Sequence, residues 1–117
     1  MKYNNTITEL DGHRFHSKKE GLYYMQEIKP RIGKDIKDVI LQPQFKVKAL
    51  DGLLNPSEGK HICTFTADFQ FDELMGDEWI NRVIDVKNIY LKKTDSYTNL
   101  RIKLAELAHN IKIEIIT

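Results

Sequence analysis

The chain has 117 residues, 41% hydrophobic and 30% charged, which describes one soluble globular domain with a real core and no room for a second. Its net charge of +1 gives no global field that would mark a nucleic-acid binder, so any basic surface has to be local. A single cysteine, Cys63, excludes a disulfide framework, and no run reaches the roughly 20 apolar residues of a membrane span, so a cytoplasmic location is expected.

Residues 1–14 are polar, contain Asp11-Gly12 and read as an extended lead-in to a single domain covering 1–117. Ser17-Lys18-Lys19-Glu20 has the capping-box pattern, and Leu22, Met25 and Ile28 follow at helical spacing, which predicts a helix over 17–29 stopped by Pro30. Glu20 has two readings: it can reach back to the Ser17 amide as a cap, or face a site beside the helix. Residues 30–38 read as a loop. Val39 to Leu50 then reads as one strand, with Leu41, Phe45, Val47 and Ala49 on one face and Lys46 and Lys48 on the other. Pro43 inside it implies an edge position or a local break, and Gln42 and Gln44 flank that proline.

Residues 51–60 read as a long hairpin connection. Two strand-like runs follow, the first from His61 to Phe71 and the second from Ile80 to Lys87, with a turn within 72–79 and Trp79 as a packing anchor. Asn88 to Lys93 read as an irregular, locally basic linker. A second helix starts near Thr94, with Thr94 or Asp95 as its cap. Tyr97, Leu100, Leu104 and Leu107 are expected to face the sheet, and Asn110 to supply a left-handed stop. Ile111, Ile113 and Ile115 alternate with Lys112 and Glu114 in a last strand. The expected class is α/β, a mixed sheet flanked by helices in the order α-β-β-β-α-β.

The chemistry concentrates at the central hairpin. Thr64, Thr66 and Asp68 share a face of the first run, and Asp85 and Lys87 share one of the second, because the side-chain period of a strand is two. If the runs pair, Asp68 lies beside Asp85 with an ammonium group in reach. Two carboxylates in an apolar setting need a cation or a proton between them, and a hard ion such as Mg²⁺ fits oxygen donors. The plain alternative is a solvated surface hairpin with an Asp85–Lys87 ion pair. The four histidines, His13, His16, His61 and His109, show no metal-ligand spacing.

The blocks Phe15-His16-Ser17-Lys18-Lys19-Glu20, Leu41-Gln42-Pro43-Gln44-Phe45, Ala67-Asp68-Phe69 and Ile84-Asp85-Val86-Lys87, in that order, resemble the PD-(D/E)xK nuclease superfamily. That is the restriction-endonuclease-like fold, and the likeness is strongest to small phage and prophage proteins. The resemblance implies Asp68 and Asp85 as metal-binding carboxylates, the Val86 carbonyl as a further ligand, Lys87 as the catalytic lysine and Glu20 as the helix acid. It implies Gln42 as a polar strand residue near the site. Ala67 stands where many relatives have proline, and Asp85 where many have glutamate. The implied activity is Mg²⁺- or Mn²⁺-dependent hydrolysis of DNA phosphodiesters, structure-selective on branched or recombining phage DNA in the cytoplasm of a bacterial host. Lys18, Lys19, Lys92, Lys93, Arg101 and Lys103 are the residues expected to hold DNA phosphates, each with the alternative of a solvated surface charge. A homodimer and a recruiting phage replication or recombination protein are the expected partners, and no membrane. The competing reading is a catalytically silent module that kept the fold to bind DNA or protein.

Overall fold

The computed structural model describes residues 7–87 and 96–117. Among them the chain forms nine strands in three sheets and two α-helices, a mixed α/β arrangement in which strands predominate. The expected extended lead-in is replaced, over the described residues, by a hairpin of β1 (Thr8–Leu10) and β2 (His13–Phe15). Asp11 and Gly12 both take positive φ, 54° and 75°, the pair of left-handed residues that a two-residue hairpin turn requires. This turn chemistry was present in the sequence as Asp-Gly.

Helix α1 (Lys18–Tyr23) is capped by Ser17, whose side chain accepts from the Glu20 amide at 3.1 Å. The helical path does not stop at Pro30. It widens into a π-helical turn over Tyr24–Ile28 and then tightens into a 3₁₀ turn over Lys29–Arg31. Proline is tolerated there because the first amides of a new helical segment have no intrahelical partner to lose. The irregularity turns Tyr24 and Ile28 into the core, where they are 5% and 0% exposed.

Both long strands expected from the sequence are broken. Residues 36–50 form β3 (Ile36–Leu41) and β4 (Gln44–Leu50), and residues 60–75 form β6 (Lys60–Thr66) and β7 (Phe69–Met75). The expected loop at 30–38 therefore ends early, and the 51–60 connection contains a further short strand, β5 (Leu53–Asn55). Gln42 sits at φ 53°, outside the strand region, and Pro43 has no amide to continue a ladder. The breaks face each other: the Gln42 amide donates to the Asp68 carbonyl at 2.9 Å, and the Ala67 amide donates to the Pro43 carbonyl at 3.0 Å. On one side of this shared bend Leu41 pairs with Phe69, and on the other Gln44 pairs with Thr66. The bend thus divides one pair of strands between a four-stranded sheet, β3-β7-β8-β9, and a three-stranded one, β5-β4-β6.

Strand β8 (Glu78–Val86) pairs antiparallel with β7 around a turn at Gly76-Asp77 and parallel with β9 (Ile113–Ile116). It is covered on both faces. Ile84 packs with Phe69, Phe71 and Ile36 against Phe15, Tyr24 and Ile28 from the helical side. Val83 packs with Ile113 against Phe45, Val47, Phe65 and the second helix, α2 (Ser96–His109).

The face of α2 is a correction. Of the four residues expected to meet the sheet, Leu104 is partly buried against its core, but Tyr97, Leu100 and Leu107 are 66%, 53% and 70% exposed, and the buried positions are Thr98, Ile102, Ala105 and Ala108. Both sets have helical spacing. The small alanine side wins because two alanines let the helix axis approach the Phe45 and Phe65 rings closely, where leucines would overfill the space. Asn110 does take the left-handed conformation after α2, with φ 53°. Trp79 is not a packing anchor: it is exposed, with Lys37 Nζ 4.2 Å from its ring centroid.

Candidate active site

The bend between the two sheets carries the acids. Asp68 stands at the break between β6 and β7, where its amide donates to the Ile84 carbonyl at 3.1 Å and one carboxylate oxygen accepts from the Val86 amide at 2.6 Å. Those two bonds clamp Asp68 onto the end of β8. Asp85 follows Ile84 on that strand, is 5% exposed, and pairs with Lys87 at 2.9 Å, as the two-residue period requires. Lys87 is itself fixed by its amide, which donates to the Ile116 carbonyl of β9 at 2.7 Å.

Glu20 enters from the first turn of α1 and is 2% exposed. Its Oε2 accepts from the His16 amide at 2.9 Å, one residue short of the Ser17 amide that a regular capping box would engage. Its Oε1 is buried and receives no N–H or O–H from a fixed donor; the neighbouring Asp68 carboxyl can bond Glu20 only when it holds a proton. The cap and the site reading of Glu20 therefore coexist, one on each oxygen.

Electrostatics show how closely the acids meet. Burial, and then hydrogen bonding and charge from Glu20, push Asp68 up to about 7 against the pull of the Val86 amide and Asp85. Burial and then the charge of Asp68 push Asp85 up to about 6, although Lys87 pulls the other way. Three carboxylates meet with one ammonium group, so protons are held where cations are lacking. Among the described residues no group of three or more His, Cys, Asp or Glu side chains is posed to hold a metal ion as it stands. The donor set nevertheless fits a hard divalent ion: all-oxygen ligands, a surplus of negative charge, and one buried oxygen with no fixed donor.

The remaining expected residues divide. Gln42 lies at the bend, half-buried, with its amide nitrogen 3.2 Å from His16 Nε2, so both border the acids. Lys19 reaches the same place and donates to the Lys87 carbonyl at 3.1 Å. Lys18 is exposed beside it, at the start of α1. Arg101 is used internally, donating to the Thr64 carbonyl and the Thr98 hydroxyl while lying 5.0 Å from the Tyr97 ring. Lys103 is exposed on α2, away from the acids, and Lys92 and Lys93 lie outside the described residues, as do the cap residues Thr94 and Asp95. His61 meets Thr64 at 2.9 Å and His109 donates to the Lys46 carbonyl at 2.7 Å, neither near the acids.

A second charged cluster escaped the sequence reading. Glu73, 7% exposed, is gripped by Arg31 and by Arg82 at 2.8 Å, and Arg82 also holds Glu114 at 2.5 Å. Glu73 falls within 72–79, where a turn rather than a strand is expected, and nothing local names its partners, Arg31 and Arg82, which come from two separate elements.

The fold and site together define a mixed α/β protein with an acid-and-lysine centre at a bend shared by two sheets. The chain belongs to the family described as "Protein of unknown function (DUF1064)", whose model matches residues 1–115. No curated protein and no solved structure matches it.

Proposed function

We propose that the chain is a metal-dependent DNA endonuclease with a restriction-endonuclease-like core of the PD-(D/E)xK type. The observation that carries this is the convergence of Glu20, Asp68, Asp85 and Lys87 at the bend, with one Glu20 oxygen buried and without a fixed donor. In the Glu73 network each of the three carboxylates, Asp35, Glu73 and Glu114, is paired with the guanidinium group of Arg31 or Arg82. At the bend only Asp85 has an ion pair, with Lys87, and neither Glu20 nor Asp68 forms one among the described residues. Support for the fold comes from the strand order around β8, once the bent strands β3–β4 and β7–β6 are each counted as one.

Asp68, Asp85 and the Val86 carbonyl would hold Mg²⁺ or Mn²⁺, with Glu20 closing the site from α1. Bound there, the ion supplies Lewis acidity that stabilises the charge developing on a phosphodiester. The chain's own residues do the rest. Lys87, paired with Asp85 here, would be released once Asp85 held an ion, and its ammonium group would then face the phosphate or the attacking water. Lys19 holds the carbonyl of Lys87 and so fixes its backbone. His16 and Gln42 offer polar groups at the rim, where the substrate enters. A small domain with no evident recognition helix among the described residues suits DNA shape better than DNA sequence, which favours branched or recombining phage DNA in a bacterial cytoplasm. Cutting both strands would call for a homodimer, and a phage replication or recombination protein would recruit it.

The test is cleavage of labelled junction, flap, single-stranded and duplex DNA in Mg²⁺, Mn²⁺ or EDTA, with Asp85→Ala and Lys87→Ala alongside. Metal-dependent cutting lost in both variants is the expected result. No cutting in any metal, with Asp85→Ala leaving DNA binding unchanged, would sink the enzymatic reading and leave a silent binding module.

A further inference from the structure

We infer that the outer face of the three-stranded sheet is a nucleic-acid track, on which Lys46 and Lys48 hold every second backbone phosphate and lead the strand to the acids at the bend. This rests on the nuclease reading for its direction, but its binding chemistry stands apart from turnover.

Composition is the first ground. None of β4, β5 or β6 contains an Asp or Glu, in a chain with 17 acidic residues, and their charged residues are Lys46, Lys48 and Lys60. Nowhere among the described residues does any of these lysines form an ion pair. A structural sheet face at neutral net charge would be expected to mix signs.

Register is the second ground. Phe45, Val47 and Phe65 point inward to α2, so Gln44, Lys46 and Lys48 point outward. Gln44 pairs with Thr66, Lys46 with Thr64, and Lys48 with His61. The face therefore presents two ammonium groups beside two hydroxyls, and the His61 ring is tied to Thr64. Ammonium and hydroxyl groups are donors to phosphate oxygens, and they read no base. The Cα atoms of Lys46 and Lys48 are about 7 Å apart along a strand. That is close to the axial rise of two nucleotides, also about 7 Å.

Position is the third ground. β4 begins two residues after Gln42 and β6 ends two residues before Asp68, so the row runs directly into the bend. A strand of phosphates laid along Lys48, Lys46 and the Gln44–Thr66 pair arrives at Gln42, His16 and the acids. Lys103 and Arg101, on the helix behind the same sheet, cannot share this face.

The experiment is fluorescence anisotropy of labelled single-stranded and duplex DNA in EDTA, where no metal-dependent cutting occurs, across a series of KCl concentrations. Lys46→Ala/Lys48→Ala is compared with Lys34→Ala/Lys112→Ala, which removes the same charge from exposed positions elsewhere. The first pair is expected to weaken binding about tenfold and to lower the salt slope by about 2, with an unchanged melting temperature. The control pair is expected to change neither by much. Equal effects of the two pairs, or a wild-type protein that binds neither DNA, would overturn the track. Binding lost in the first pair without any cutting by the wild type would leave the track standing and refute only the enzyme.

Discussion

Asp68→Asn separates the cost of the acid cluster from its use. Burial and Glu20 raise the Asp68 carboxyl from 3.8 to about 7, so its ionised form is disfavoured in the folded chain. The sign follows. A carboxyl with a raised folded value contributes full stability below its unfolded value, and that contribution is lost as pH climbs from about 4 to about 7. At about 1.4 kcal/mol per unit the ceiling is about 4 kcal/mol at pH 8. Asp68 is only half-buried, so water shares the load and about 2 kcal/mol is the expected penalty. The amide keeps the oxygen that accepts from the Val86 amide and presents a donor to the Glu20 oxygen that lacks one. In EDTA at pH 8 the variant should therefore melt about 8 °C above wild type, with the gap closing by pH 5. Mg²⁺ should raise the wild-type melting temperature at pH 8 and leave the variant's unchanged. Differential scanning calorimetry across pH reads all three arms. A variant less stable than wild type at pH 8, or a gap that does not change with pH, would refute the crowded-carboxylate argument.

The orientation of α2 is tested by a pair of substitutions. Ala105→Leu, at a fully buried position, should cost about 1–3 kcal/mol through overpacking, while Leu107→Ser, 70% exposed, should cost less than about 0.5 kcal/mol. Chemical denaturation would show the reverse order if the leucine stripe faced the sheet. Glu73→Ala removes the carboxylate that Arg31 and Arg82 share, but Arg31 keeps Asp35 and Arg82 keeps Glu114, so the loss should be about 1 kcal/mol by urea unfolding. Burial raises the Glu73 carboxyl, but those two arginines outweigh it and hold it below its ordinary range, as Arg82 holds Glu114. Stability from this network is present above pH about 4.5 and is lost as pH falls through the depressed values, so Glu73→Ala should matter less at pH 2 than at pH 7. Gly59→Ala should cost about 2 kcal/mol, since its φ is +96° and a Cβ would stand 2.1 Å from the Ala49 carbonyl oxygen. An unchanged urea midpoint would count against that turn geometry.

Much of the fold was legible locally. The capping Ser17, the period-two pairs Asp85 and Lys87, the turn between the two runs and the left-handed Asn110 all depend on neighbours within a few residues. Of the candidate site, strand phase made legible only the shared side of Asp85 and Lys87; Asp68 stands at the break between β6 and β7, across which the phase reverses, so that Phe65 and Ala67 face one core and Phe69 and Phe71 the other. The electrostatic state of the site was not legible, because the raised values of Asp68 and Asp85 depend on burial and on a third acid from α1.

By itself the sequence determined the capped helix start at Ser17 and the common side of Asp85 and Lys87, whereas the single faces expected for Leu41 with Phe45 and for Ala67 with Phe69 are each divided between two cores. Pro43 offered an edge position or a local break, and tertiary structure decided for the break and added the opposed one at Ala67-Asp68, because each matches the other across a ladder. Tertiary structure also decided which of two equally periodic faces α2 buries, since the choice turns on the space left between Phe45, Phe65 and Val83. The Glu73 network was likewise beyond local reading, because its arginines and their second carboxylate lie 42, 9 and 32 residues apart in pairwise sequence separation. Side-chain phase is set by backbone geometry within a strand. Contacts between elements are set by the volume and charge that every other element brings.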